Sequence, residues 1–154
     1  MTPRTDLRDP RAVPIDAADT HRLRHLVLRD GALGADLDWD DDHDERTLHL
    51  GIRIVDAVVA VSSWTRSAWE HEPDRVAVQL RGMATDPNHA GSGLGTTLLQ
   101  AGIEHARSVG AHVVWANARV TALGFYERSG FTVTGDVFLT PATGLPHRLV
   151  HVRL

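Results

Sequence analysis

The chain has 154 residues, 42% of them hydrophobic and 23% charged, with a formal net charge of −4, the proportions of one soluble globular domain. Zero cysteines exclude disulfides, a thiol nucleophile and thiolate metal sites. The acidic balance, with no Lys/Arg block in any segment, argues against nucleic acid as a partner.

No apolar run is long enough to cross a bilayer and no leader precedes a cleavage site, so one cytoplasmic domain over 1–154 is expected, with 1–9 flexible and no membrane partner. His21/His25 and His147/His151 are spaced by four, but neither pair has a third ligand type nearby, so no metal is expected.

In chain order, "PRAVPI" (10–15) reads as a first strand. Asp16 is placed as an N-cap, Leu23, Leu26 and Val27 give a helical apolar face, and Gly31 closes the helix. The stretch 34–45 then carries seven carboxylates from Asp36 to Glu45. It is not an EF-hand, since Asp41 and Thr47 stand where the loop needs glycine and glutamate. It reads as a solvated, mobile loop that would attract a cationic amine if it lay beside a cleft.

Runs 47–55 and 57–65 flank Asp56 and predict a hairpin, and 76–85 a further strand ended by Asp86 and Pro87. Residues 94–109 form the clearest helix, with Leu94, Leu98 and Ala101 on one track and Leu99, Ile103 and Ala106 beside it. A strand at 111–117, a short helix at 121–129, and strands at 131–139 and 146–154 complete the chain. The order is mixed β and α with one strand–helix–strand crossover at its centre.

The sharpest local signal is "AGSGLGTTLL". Gly91, Gly93 and Gly95 bare the backbone N–H groups just where a helix starts, and a helix N-terminus suits an anion such as phosphate. Gly95-Thr96-Thr97 lacks the lysine of a Walker loop, and the GxGxG spacing is not the dinucleotide GxGxxG.

The stretch "LRGMATDPNHAGSGLGTTLL" resembles the acetyl-CoA-binding segment of the GNAT superfamily of N-acetyltransferases. "NARVTALGFYERSGF" (117–131) resembles that family's second motif, a turn leading to FYExxGF. The resemblance implies an α+β (mixed α/β) fold: a central, mostly antiparallel twisted sheet of six to seven strands, with a β-α-β coenzyme-binding core and flanking helices. It implies acetyl-CoA as co-substrate, held by Met83, Ala84 and Thr85 of one strand. The loop Ala90, Gly91, Ser92, Gly93, Leu94, Gly95 and Thr96 would hold its pyrophosphate, with Asn117, Phe125, Tyr126 and Arg128 downstream. Ala90 departs from the family's usual Arg or Gln, and His89, Arg119 and Arg128 are the candidate substitute cations.

The implied reaction is transfer of the acetyl group to a primary amine by direct attack, with Tyr126 as general acid to the departing sulfur. The strand before the loop carries no carboxylate, so the base is left among His147, Glu70, Glu72 and a water chain. Acceptor walls are expected from the 30–45 loop, Trp64, Trp69 and the 140–147 loop. The acceptor is a small-molecule or peptide amine, and the protein a monomer or homodimer. The rival is a non-catalytic acyl-CoA-binding sensor or interaction module.

Overall fold

A computed structural model describes residues 10–154; the stretch 1–9, expected to be flexible, lies outside the described residues. Seven strands form one sheet in the order β1-β2-β3-β4-β5-β7-β6. They are β1 (Ala12–Pro14), β2 (Leu48–Ile54), β3 (Ala57–Arg66), β4 (Ala77–Thr85), β5 (Val113–Arg119), β6 (Thr132–Leu139) and β7 (Pro146–Arg153). All neighbours are antiparallel except β4 and β5. A parallel pair needs a crossover, and helix α2 (Leu94–Ser108) supplies it. The expected mixed α/β sheet with a central β-α-β unit is therefore present. Among the described residues no helix is long and apolar enough to cross a membrane.

Both faces of the sheet are covered, which explains why 57–65 is nearly continuous in apolar residues and does not alternate cleanly. On one face α2 packs Leu94, Leu98, Leu99 and Ala106 against Leu50, Ile52, Trp64, Val78, Leu80 and Val114. Side chains alternate along a strand, so Ala77 and Val113 lie on the other face, where they pack with Trp69. A third cluster joins Leu23 to Val61 and Ala84.

The first predicted helix is a composite, α1: a 3-10 turn at Ala17–Thr20, one α turn at His21–Leu23 and a π-helical turn at Arg24–Leu28. Asp30 and Gly31, both at positive φ, end it. The widened turn draws Arg24 fully inside. There it meets the acidic stretch, and the expectation of a mobile, solvated loop is corrected at Asp42, which is buried, while Asp36, Asp38, Asp40, Asp41 and Glu45 are exposed as expected. Arg24 Nη1 donates to Asp42 Oδ2 at 2.6 Å and Nη2 to Oδ1 at 2.9 Å. Further bonds go to the Leu37 carbonyl and Ser63 Oγ. A two-pronged guanidinium–carboxylate pair is among the stronger charge-assisted contacts, so 36–45 is pinned to the sheet. Burial pushes the Asp42 carboxyl up, but the Arg24 hydrogen bond, the Trp39 amide and the Arg24 charge together hold it below its ordinary 3.8.

Candidate active site

Pairing of β4 with β5 is limited to Ala77 with Val113, Val78 with Val114 and Gln79 with Trp115. Beyond Gln79 the two strands part, leaving 80–85 and 116–119 without each other's hydrogen bonds. The gap is a V whose open end lies at the C-terminal end of β4, where the glycine loop begins. A cavity of about 370 Å³ sits in the V.

The edge of the V is shaped by a bulge. Val61 faces Ala84 and Ser63 faces Arg81, so Ser62 stands opposite both Gly82 and Met83. Bulges bend a strand and re-aim its groups beside active sites. Gly82 has φ +60, and a Cβ there would lie 2.9 Å from the Trp39 ring. Conformation and space both demand glycine at this position. Trp39 closes over the bulge, with Arg24 3.7 Å, Arg81 5.0 Å and Arg29 5.7 Å from its ring centroid.

At the open end, Asp86 caps the turn after β4 by accepting from the Asn88 N–H at 3.0 Å. The chain then passes through Gly91 and Gly93, at φ +78 and +82, with nothing within 4 Å of where either Cβ would stand. These glycines are needed for backbone conformation, and the space beside them is open. Thr97 N–H is the first to reach a helical acceptor, the Gly93 carbonyl at 3.1 Å. The amides of Leu94, Gly95 and Thr96 precede it and have no intrahelical partner, as at any helix start.

Short helix α3 (Leu123–Arg128) stands beside α2. Its aromatic pair divides the work: Phe125 faces a groove shared with Thr96, Leu99, Gln100 and Arg128, while Tyr126 lines the V. Tyr126 is held edge-on between Phe125 at 5.2 Å and Phe131 at 5.4 Å. Burial pushes its phenol up to about 12, so it remains a hydrogen-bond donor at neutral pH.

His147, 8% exposed, lines the same cavity. Its strand register sets it between Arg119 of β5 and Phe138 of β6. Its Nδ1 lies 2.8 Å from the Leu145 carbonyl. A carbonyl can only accept, so Nδ1 carries a proton and the Nε2 side of the ring is left free of that bond.

Of the remaining sequence-predicted residues, Met83 and Asn117 line the V, whereas Ala84 is buried against Leu23 and Val61. Thr85 pairs with Ala60 on β3. Thr96, Phe125 and Arg128 come together at the α2–α3 groove, with Gly95 beside Phe125, whereas Leu94 is buried in the core and Gly91, Ser92 and Gly93 form the turn before α2. Ser92 Oγ is turned back onto the His89 carbonyl, and Ala90 is exposed. Of the substitute cations, Arg128 shares the groove with Thr96. Arg119 is instead committed to the V, donating to the Leu28 carbonyl at 2.6 Å.

The expected acceptor walls divide. Trp39 and 140–143 line the cavity. Trp64 is fully buried in the core, and Trp69 stacks on His151 with ring centroids 4.5 Å apart, behind the sheet. Glu70 is exposed, and Glu72 is paired with Arg153 and Arg75; neither lines the V. Sequence reasoning missed Arg29 and Arg81 as lining residues. Arg29 follows a π turn that the 3.6-residue period does not anticipate.

A parallel pair splayed over a buried phenol, with a bare-amide loop at its open end, is an arrangement that suits an acyltransferase. The chain belongs to the Acetyltransferase (GNAT) family, whose sequence pattern matches residues 17–131. It is 28% identical over 130 residues to the uncharacterized N-acetyltransferase YitI of Bacillus subtilis (strain 168), covering 84% of this chain and 87% of that one. An acyl-CoA N-acyltransferase from Pseudomonas aeruginosa superposes with a TM-score of 0.74 at 19% identity, over 93% of this chain and 99% of that one. An aminoglycoside 6'-N-acetyltransferase complexed with coenzyme A superposes with a TM-score of 0.71 at 11% identity, over 92% of this chain and 96% of that one.

Proposed function

We propose that the protein moves the acetyl group of acetyl-CoA to the primary amine of a small acceptor by direct attack. The observation that carries this reading is the V: strand pairing ends after Gln79, and Tyr126 and His147 face one cavity beyond that point. The open space at Gly91 and Gly93 accommodates a pyrophosphate on the bare amides. The unpaired edge of β4 suits an extended pantetheine arm running as a mock strand.

In the reaction the amine nitrogen attacks the thioester carbonyl carbon. A C–N bond forms, the C–S bond breaks and sulfur leaves as a thiolate. A backbone N–H at the bulge of Gly82 and Met83 stabilises the developing oxyanion. His147 Nε2, or water beside it, takes the proton that the amine loses. Tyr126 donates to the departing sulfur. A phenol at about 12 lies above an ordinary thiol near 8.5. Its contribution is therefore a hydrogen bond to the nascent thiolate, and the proton that ends on sulfur comes in net from the amine.

The test is thiol release from acetyl-CoA across a panel of primary amines, with Tyr126→Phe alongside. The wild-type protein should turn over at least one amine. The variant should lose about 100-fold in kcat, the scale of one transition-state donor, while binding acetyl-CoA within twofold of wild type. Coenzyme binding with no turnover of any amine would replace the enzyme by the sensor.

A further inference from the structure

The charge lining the V is one-sided. Arg29, Arg81 and Arg119 contribute to its wall, and among the described residues no aspartate or glutamate does. Four of the seven carboxylates of the 36–45 stretch are paired, Asp42 with Arg24, Asp41 with Arg81, Asp44 with Arg46 and Asp38 with His43. Arg81 is thereby compensated. Arg29 and Arg119 have no ion-pair partner among the described residues. Both point instead at one backbone oxygen, that of Leu28, which Arg119 Nη2 reaches at 2.6 Å and Arg29 Nη1 at 3.1 Å. Burial, then the charges of Arg119 and Arg24, push the Arg29 guanidinium down, with only Asp36 nearby to oppose them. Two like charges on one carbonyl in a partly buried wall are costly without a counter-anion. A guanidinium is also the side chain whose fork best matches a carboxylate or phosphate.

We infer that the acceptor is a small amine bearing its own oxyanion, a carboxylate or phosphate, which Arg29 and Arg119 hold while the amine faces Tyr126 and His147. The inference rests on the acetyl-transfer reading of the same cavity. It also reverses the attraction for cationic amines expected of the acidic loop. Size agrees: about 370 Å³ is near the low end of small-ligand sites, roughly 300–1,000 Å³, and the thioester takes part of it.

The experiment compares thiol release for matched acceptors: the standard L-amino acids, their amides, plain alkylamines, and O-phosphoethanolamine against ethanolamine. At least one oxyanion-bearing amine should exceed its neutral counterpart by 30-fold or more in kcat/KM, and the series decides between carboxylate and phosphate. Arg29→Gln and Arg119→Gln should each raise KM for that acceptor at least tenfold without altering KM for acetyl-CoA, and Arg29→Lys should recover part of the loss. Arg29 hydrogen-bonds its neighbour's carbonyl and makes a longer contact with the Trp39 ring at 5.7 Å. Arg29→Gln should therefore lower the melting temperature only slightly, and that shift is measured alongside to separate binding from folding.

Calorimetry with N-acetyl amino acids and N-acetylphosphoethanolamine, in the presence of CoA, reads the site without turnover. Binding that weakens tenfold in Arg29→Gln upholds the inference even if no amine is acetylated, an outcome that sinks only the enzymatic reading. Plain amines preferred over oxyanion-bearing ones, a preference untouched by both arginine variants, or no binding of any oxyanion ligand overturns the inference and leaves acetyl transfer standing.

Discussion

Gly93 and Gly110 share a backbone conformation, φ +82 and +79, and neither has an atom within 4 Å of its absent Cβ. Alanine at either position meets no steric clash and pays the same left-handed penalty, about 1–2 kcal/mol. Their surroundings separate them. Gly93 sets the direction of the amides that open α2, whereas Gly110 merely follows its last turn. Gly93→Ala should therefore weaken acetyl-CoA about tenfold in a calorimetric titration. Gly110→Ala should lower the melting temperature and leave the affinity alone. These glycines were legible in the sequence because a side chain's absence is printed in it. Tyr126 was legible because it falls on a motif. Arg29 was not: its role depends on a π turn and on carboxylates that choose other partners, and neither leaves a periodic trace.

At the scale of elements, the join between α2 and the sheet rests on a glycine that helix propensity alone would disfavour. A Cβ on Gly102 would lie 1.8 Å from Cζ2 of Trp64. The indole is wholly buried and tied by Nε1 to Ser62 Oγ at 2.9 Å. Replacing glycine by alanine inside a helix gains about 1 kcal/mol by propensity, but forcing a methyl into a filled core costs about 1–3 kcal/mol or more. Packing wins, so Gly102→Ala should destabilise by about 2 kcal/mol in urea unfolding followed by tryptophan fluorescence. The α2 periodicity and the alternation of β2 announced those elements within a residue or two of their ends. The close contact of α2 with the indole did not show, because nothing local to 94–108 indicates what lies across from it.

Across the molecule, the walls of the V are drawn from segments far apart in the chain: the end of α1, Trp39, the C-terminal half of β5, 140–143 and His147. Arg24 and Asp42 lock two of these together, with His49 reaching the Asp42 carbonyl at 3.2 Å through Nε2. Because the Asp42 carboxyl sits below its ordinary 3.8 when folded, its contribution is complete above that pH and is lost as pH falls through the folded value. Removing the charge leaves a buried guanidinium unpaired, which costs about 3–5 kcal/mol. Asp42→Asn should therefore lower stability by that order at pH 7, and the gap from wild type should close as urea midpoints are followed below pH 3.8. Of the seven carboxylates, Asp36, Asp38, Asp40, Asp41 and Glu45 are exposed as the sequence suggests, whereas buried Asp42 read like its neighbours because composition reports charge and not partners. The partner here lies on another helix turn, and only the folded chain brings it near.

The claim beneath the whole account is that the V between β4 and β5 is the seat of an acetyl thioester. A crystal structure with acetyl-CoA bound tests it most directly. The account predicts pyrophosphate oxygens on the amides between Gly91 and Thr96, the pantetheine arm along 80–85, and sulfur within hydrogen-bonding reach of the Tyr126 hydroxyl. Coenzyme bound away from the V, or a loop left empty at saturating coenzyme, would contradict it.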